Sequence, residues 1–107
     1  MCRGLTAPAN GAEVPLAGRV AVVTGAARGL GAAIAAKLAA DGARVVCLDV
    51  PAAGEQLAAT ANEIRGYALQ LDVTADTTPA RLAHYLVRRF GGVDIVVHNA
   101  GITRDKL

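Results

Sequence analysis

The feature that most constrains this chain is a glycine-spaced turn between a strand-like run and a helix-like run. Residues 20–24 are continuously apolar up to a threonine, which is typical of a strand covered on both faces. Gly25, Gly29 and Gly31 follow, and an alanine-rich stretch then begins with helical periodicity. A diphosphate can lie at the amino end of such a helix only when no side chains block the backbone there. The pattern therefore predicts a strand, a phosphate-binding turn and a helix in succession.

The alternation of strand and helix patterns continues over the rest of the chain. Three further runs predict strands at residues 44–48, 67–71 and 93–97. Thr78 is predicted to cap the last helix, with Pro79 at its first position. Apolar residues at helical spacing predict three helices, and these residues are Leu30, Ile34 and Leu38, then Leu57, Ala61 and Ile64, then Leu82, Leu86 and Phe90.

Strands that alternate with helices predict a parallel sheet with right-handed crossovers. The first, second and fourth strand patterns are the more continuous apolar runs, whereas the third alternates with polar residues and is expected at an edge. The predicted fold is a Rossmann-type α/β sheet with order 3-2-1-4 and helices on both faces, truncated after the fourth strand. Residues 1–18 contain prolines and glycines without periodicity and predict a flexible tail or linker. Residues 19–107 then form the dinucleotide-binding part.

Asp49 stands at the end of the second predicted strand, where a carboxylate can accept hydrogen bonds from the adenosine ribose hydroxyls of a dinucleotide. A 2′-phosphate there would bring about −1.5 to −2 charges next to this carboxylate. We therefore predict that NAD(H) is favoured over NADP(H). Arg28 in the glycine turn is the opposing feature, because its cation could reach a 2′-phosphate. The plainer alternative is an aspartate that only forms a turn before Pro51.

Two further short motifs follow the third and fourth predicted strands. Asp72-Val73 could recognise the adenine edge with a carboxylate and a backbone amide. Asn99-Ala100-Gly101 places small residues where the backbone can approach a cofactor, and Asn99 could brace the neighbouring strand ends. Each motif is by itself also typical of an ordinary turn. With the glycine turn they give the predicted cofactor-binding set, which is Gly25, Arg28, Gly29, Leu30, Gly31, Asp49, Asp72, Val73, Asn99, Ala100 and Gly101.

Composition argues against several other classes of function. The net charge of +2 comes from scattered Lys and Arg, and only 3% of residues are aromatic, so nucleic acid is not an expected partner. No apolar stretch is long enough for a membrane span, and the first residues lack the pattern of a signal peptide. Cys2 lies in the tail and Cys47 in a predicted buried strand, which favours a reducing cytoplasm. No metal site is predicted.

Taken together, these residues resemble the short-chain dehydrogenase/reductase family. Its T-G-x-x-x-G-x-G pattern is met at residues 24–31, its N-A-G motif at residues 99–101, and its acid after the second strand by Asp49. Residues 16–29 and 99–107 look most like 3-oxoacyl-[acyl-carrier-protein] reductases. An aspartate at position 49 is similar to the NADH-using, high-molecular-weight branch of those reductases.

The resemblance implies a nicotinamide-dependent reductase of 3-oxoacyl thioesters, carried on acyl-carrier protein or CoA in fatty-acid metabolism, that is a homo-oligomer when complete. It places the family's catalytic Asn, Ser and Tyr-x-x-x-Lys well beyond the N-A-G motif, and this sequence contains no serine. The chain is therefore expected to be a cofactor-binding fragment without catalytic residues, inactive alone. His98 stands where the family commonly has Asn and is predicted to be structural. Tyr67, His84 and Tyr85 are predicted to be packing residues.

Two other functions stay open. A stand-alone nucleotide- or partner-binding module would bind NADH without turning over a ketoacyl substrate. A methyltransferase would use a related glycine loop and acid, but the spacing between Gly25 and Gly29 and the N-A-G element fit it poorly. The fourth strand is strongly apolar, and its outer edge is expected to lack a fifth strand, so we also predict poor solubility or self-association.

Overall fold

Strands and helices alternate along the chain in the computed structural model, which describes residues 14–72 and 74–99. The strands are β1 (Val20–Thr24), β2 (Arg44–Asp49), β3 (Tyr67–Gln70) and β4 (Ile95–Val97). The helices are α1 (Gly29–Ala40), α2 (Gly54–Ile64) and α3 (Thr78–Phe90). A short 3-10 turn, Pro51–Ala53, leads from β2 into α2.

The described strands pair in parallel in one four-stranded sheet, in the order β3-β2-β1-β4. This order confirms the predicted 3-2-1-4 arrangement. β1 lies in the centre between β2 and β4, and all of its residues are buried, which explains its continuous apolar sequence. β3 alternates between half-buried and exposed residues because it lies at the edge, where its cover is less complete.

Helices cover both faces of the sheet and create two hydrophobic clusters. On one face, residues of α1 and α2 pack with Val23 and Cys47. On the other face, Leu86 of α3 packs with Val22 and Val46. Successive strand residues therefore serve opposite clusters, as the period of two in a strand requires.

Three aromatic residues meet where α3 lies over β3. The Phe90 ring centroid is 5.0 Å from that of Tyr67 and 6.2 Å from that of Tyr85, and both pairs are edge-to-face. The Arg89 guanidinium lies 5.6 Å and 5.7 Å from the two tyrosine ring centroids. The predicted packing role is confirmed for Tyr67 and Tyr85. It is wrong for His84, which is exposed because it lies off the stripe of α3 that faces the sheet.

The predicted apolar stripe of α1 contains one exposed residue. Leu30 is 63% exposed, whereas Gly31 and Ala35 are the buried residues of this helix. The most deeply buried residues of α1 are therefore small, and each of them, Gly31 and Ala35, comes one position after a larger apolar residue of the predicted stripe. Ile34 and Leu38 are half-buried and pack against the cluster, as predicted.

Several predicted boundaries differ by one or two residues in the structure, and two of the differences have a clear physical reason. α3 begins at Thr78 with Thr77 as its N-cap, so the cap predicted at Thr78 is wrong by one residue. Thr78 is buried, and its hydroxyl donates to the carbonyl oxygen of Asp72. β4 begins at Ile95, later than predicted. At its start the Asp94 carboxylate replaces a backbone acceptor, because Asp94 Oδ2 accepts a hydrogen bond from the Val20 amide nitrogen at 2.8 Å.

The segment before β1 lies against the end of α1. The Leu16 amide donates to the Asp41 carbonyl oxygen at 2.7 Å, and a Cβ added to Gly42 would lie 2.2 Å from Val14 Cγ1. Residues 14–18 thus contact the folded part, and residues 1–13 lie outside the described residues. The predicted boundary between tail and domain stays a prediction.

Candidate cofactor site

The turn after β1 has the backbone that its glycines predict. Gly25 and Gly29 have φ angles of 66° and 62°, in the left-handed region that favours glycine. Arg28 is the N-cap of α1, is extended, and makes no side-chain capping bond, and the first turn of the helix contains no acidic residue. The first amides of a helix have no acceptor within the helix, and they carry its positive partial charge. This helix end is therefore suited to bind an anion.

Gly29 and Gly31 are needed for different reasons. A Cβ added to Gly31 would lie 2.0 Å from the Gly25 carbonyl oxygen and 2.8 Å from Asn99 Nδ2, so only glycine lets α1 start this close to β1. A Cβ added to Gly29 would meet no atom within 4 Å, so the space outside the turn is open. The turn is thus packed tightly on its inner side and accessible on its outer side, which is the shape that a bound diphosphate requires.

Asp49, at the end of β2, contacts the glycine turn directly. Its Oδ2 accepts a hydrogen bond from the Ala27 amide at 3.0 Å, and its Oδ1 accepts one from the Val50 amide at 2.8 Å. Each carboxylate oxygen has two lone pairs, so these bonds leave acceptor capacity for hydroxyl groups. Asp49 therefore fixes the shape of the turn in addition to the ribose contact that the sequence predicts, a contact that stays a prediction.

Asn99 links the end of β4 to the end of β1, as its place after the fourth predicted strand suggests. Its amide donates to Thr24 Oγ1 at 2.8 Å, and its side-chain Nδ2 donates to the Gly25 carbonyl oxygen at 3.3 Å. Thr24 Oγ1 also lies 3.5 Å from the Val97 carbonyl oxygen as donor. The other two residues of the motif, Ala100 and Gly101, lie outside the described residues.

Asp72 lies at the end of β3 in an exposed turn. Its Oδ1 accepts hydrogen bonds from the Thr74 hydroxyl at 2.6 Å and from the Thr74 amide at 2.9 Å. The hydroxyl bond, followed by the amide bond, holds the pKa of the Asp72 carboxyl below its ordinary value. Asp72 thus has the turn-forming contacts of the plainer alternative, and the adenine contact stays a prediction. Val73 lies outside the described residues.

Two residues of α2, which sequence reasoning missed, also hold the turn. Thr60 Oγ1 donates to the Ala27 carbonyl oxygen at 3.0 Å, and Gln56 Oε1 accepts a hydrogen bond from Arg28 Nη1 at 3.1 Å. They lie one helical turn apart, next to the buried Leu57. No pattern in the sequence marks them, because only the packing of α2 brings them to the turn.

The structure brings most of the predicted cofactor-binding residues together at the carboxyl ends of the strands. The glycine turn, Asp49 and Asn99 are linked by the hydrogen bonds given above, and Asp72 lies at the end of the neighbouring edge strand. The side chains of Leu30 and His98 are exposed at this end of the sheet and belong to neither hydrophobic cluster. Within residues 14–72 and 74–99, no three His, Cys, Asp or Glu side chains are grouped as metal ligands. No helix of that same part has the length and apolarity to cross a membrane.

Comparison with known proteins decides the family. The family model described as short chain dehydrogenase matches residues 19–107. The chain belongs to the short chain dehydrogenase family. A 3-oxoacyl-[acyl-carrier-protein] reductase of Pseudomonas aeruginosa is 46% identical over 95 residues, which are 86% of this chain and 38% of that protein. The chain thus spans well under half the length of this curated relative of the family.

Solved structures of similar proteins share the fold. A short chain dehydrogenase from Pseudomonas syringae superposes with a TM-score of 0.73 at 38% identity, covering 82% of this chain and 39% of that chain. A Brucella melitensis structure named as ribose-5-phosphate isomerase has a TM-score of 0.79 at 34% identity, covering 87% and 35%. A shared fold does not by itself select a reaction.

Proposed function

We propose that this chain binds NAD(H) as the cofactor-binding part of an oxidoreductase that acts on 3-oxoacyl thioesters. The observation that carries the proposal is the turn between β1 and α1, closed against Gly25 on its inner side, open at Gly29, and bonded to Asp49 at the end of β2. The turn offers backbone amides to a diphosphate, and the carboxylate lies where ribose hydroxyls are expected.

The charge of Asp49 supports NAD(H) over NADP(H). A 2′-phosphate adds about −1.5 to −2 charges at pH 7, and it would have to lie near this carboxylate. Arg28 opposes the preference only weakly, because its guanidinium is exposed and donates to Gln56 at 3.1 Å. Like charges at close range therefore outweigh a solvated cation.

The described residues bind and orient; they do not transfer a proton. A bound nicotinamide dinucleotide supplies hydride chemistry. The backbone of residues 25–31 would hold its diphosphate, and Asp49 its adenosine ribose. The sequence contains no serine and no Tyr-x-x-x-Lys pattern, so we expect these residues to bind cofactor without turning over substrate. A cytoplasmic location, consistent with the buried free thiol of Cys47, belongs to the same proposal.

Calorimetric titration with NADH and NADPH tests the cofactor assignment. We expect wild type to bind NADH at least about tenfold more tightly than NADPH, and Asp49→Ala to lose most of that preference. Asp76→Ala is the matched control, because Asp76 is an exposed aspartate outside the turn, and it should leave the ratio unchanged. Tighter binding of NADPH by wild type would show the assignment to be wrong. A folded sample that binds neither dinucleotide would overturn the proposal.

The 3-oxoacyl substrate rests on the named relatives and is tested separately. Oxidation of NADH in the presence of acetoacetyl-CoA should not exceed background for this chain, and turnover would contradict the predicted lack of catalytic residues. The codons that follow Leu107 in the gene distinguish a reductase from a stand-alone binding module. A serine and a Tyr-x-x-x-Lys pattern encoded there support the reductase, and their absence favours the module.

A further inference from the structure

Helix α2 holds two of the three turn residues that lie between Gly25 and Gly29. The Thr60 hydroxyl donates a hydrogen bond to the Ala27 carbonyl oxygen at 3.0 Å, and Gln56 Oε1 accepts a hydrogen bond from Arg28 Nη1 at 3.1 Å. The shape of the turn therefore depends on its own glycines and on bonds from three other parts of the chain: Asp49 at the end of β2, one face of α2, and Asn99 after β4.

The two bonds made by Ala27 fix its position from both sides. Its amide donates to Asp49 Oδ2 at 3.0 Å, while its carbonyl oxygen accepts from Thr60. No peptide bond in the described residues is cis. In a trans peptide the C=O and the following N–H point in opposite directions. The Thr60 bond therefore directs the Arg28 amide hydrogen away from α2, toward the side of the turn that this helix does not cover.

Burial makes the Thr60 bond the stronger of the two contacts from α2. Leu57 is fully buried, and Ala27 and Ala61 are each 4% exposed, so the Thr60 hydroxyl lies beside a tightly packed contact between the helix and the turn. The Arg28–Gln56 contact is exposed to solvent. A hydrogen bond that is partly shielded from water is worth more than one in water, and removing the Thr60 hydroxyl takes this donor away from the Ala27 carbonyl oxygen.

We infer that Thr60 is a positioning residue for the dinucleotide-binding turn, acting through the Ala27–Arg28 peptide. This inference rests on the proposed function. The peptide orientation matters for the diphosphate, which NADH and NADPH share. Loss of Thr60 therefore weakens both dinucleotides by the same factor, whereas a change at Asp49 alters the ratio between them.

Three variants test the role of Thr60. Thr60→Val keeps the shape and removes the hydroxyl, and we expect it to raise the dissociation constants of NADH and NADPH alike, by about fivefold. Thr60→Ser restores the donor and should restore the affinity. Thr77→Val removes a hydroxyl that makes no capping bond at the start of α3, so it should bind like wild type. Circular dichroism of each variant establishes that it is folded at the titration temperature.

Hydrogen exchange provides a readout that does not require a ligand. Thr60→Val should speed exchange of the Ala27 amide, which donates to Asp49 in the intact turn, while Thr60→Ser and Thr77→Val should not. Wild type that binds neither dinucleotide overturns the proposed function and this inference together. Wild type that binds, with Thr60→Val equal to it in affinity and in exchange, overturns the inference alone. A changed ratio of NADH to NADPH affinity in Thr60→Val also contradicts it.

Discussion

At Gly31 the start of α1 comes so close to β1 that an added Cβ would lie 2.0 Å from a backbone oxygen, whereas at Gly29 an added Cβ meets open space. We expect Gly31→Ala to lower the free energy of unfolding by about 1–3 kcal/mol, since backbone must move to admit the methyl group. Gly29→Ala should cost about 1–2 kcal/mol, from its positive φ alone, but should abolish NADH binding by occupying the phosphate side. Urea unfolding and calorimetry measure the two effects.

These two variants test separate parts of the site. A Gly31→Ala protein as stable as wild type would show that the helix can move away from the turn at no cost. A Gly29→Ala protein that is folded and binds NADH normally would show that the open side of the turn does not receive the diphosphate.

Burial of Cys47 between the sheet and its helices makes stability depend on pH. Burial raises the pKa of the Cys47 thiol from an ordinary 9.0 to about 11. Between these values the unfolded chain loses the proton and the folded chain keeps it. The free energy of unfolding should therefore fall as pH rises from about 9 to about 11, by at most about 3 kcal/mol.

Denaturant titrations across this pH range measure the effect of Cys47. Cys47→Ala is the control, because it removes this thiol and leaves the other titrating groups in place. The fall in stability should be smaller in the variant than in wild type. Equal slopes in the two proteins would contradict the assignment.

Residue types and their order could predict part of the site but not all of it. The spacing of Gly25, Gly29 and Gly31 predicts the conformation of the turn. Asp49 and Asn99 could be placed near it because each follows a predicted strand, and parallel strands end on the same side of the sheet. Thr60 and Gln56 escaped prediction because only the packing of α2 brings them to the turn. Such contacts depend on helix rotation, which sequence periodicity fixes only approximately.

At the scale of elements, apolar patterns predicted the four described strands and the three α-helices but placed one exposed residue, Leu30, on the buried stripe of α1. α1 is almost entirely apolar, so periodicity cannot distinguish its sides, and Leu30 is exposed while Gly31 is buried. α3 is amphipathic, and its predicted stripe of Leu82, Leu86 and Phe90 does pack against the sheet. The buried face can therefore be predicted from the sequence for an amphipathic helix such as α3, but not for a uniformly apolar helix such as α1.

The contact of α3 with β3 should depend on the ring of Phe90. Its centroid lies 5.0 Å from that of Tyr67, and it packs on the cluster below α3. We expect Phe90→Ala to lower the free energy of unfolding by about 2–3 kcal/mol, below the value for a fully buried ring because Phe90 is half-buried. Val87→Ala on the same helix, at a side chain 60% exposed, should change it by less than about 0.5 kcal/mol. Chemical denaturation of the two variants side by side checks this, and similar losses in both would refute it.

At the scale of the whole molecule, the alternating run of β3 predicted its place at an edge, and the apolar runs of β1 and β2 predicted their central places, whereas β4 is apolar although it is the outermost described strand on its side of the sheet. The exact start of β4 could not be predicted from the sequence, because it depends on a hydrogen bond that the Asp94 carboxylate accepts from the Val20 amide of the neighbouring strand. Within residues 14–72 and 74–99, β4 lies at an edge of the sheet, and edge strands expose unpaired backbone groups and invite association. Val96 of β4 pairs with Val22 and is 62% exposed.

We therefore expect this chain to self-associate through β4 as its concentration rises. Val96→Lys should reduce the association, because a charge on an edge strand opposes pairing with another chain. Val87→Lys, at a side chain of nearly equal exposure on α3, is the control and should associate like wild type. Light scattering over a concentration series measures this. A wild type that stays monomeric throughout would contradict the prediction.

The aromatic cluster has a practical consequence for spectroscopy. The sequence has two tyrosines, one phenylalanine and no tryptophan, and all three aromatic rings lie together between α3 and β3. Near-ultraviolet absorbance and circular dichroism of the protein therefore report the packing on the α3 face of the sheet and carry no aromatic signal from the other face. Partial melting of that face could be followed separately from the turn beyond β1, where the fluorescence of added NADH would serve as an independent reporter.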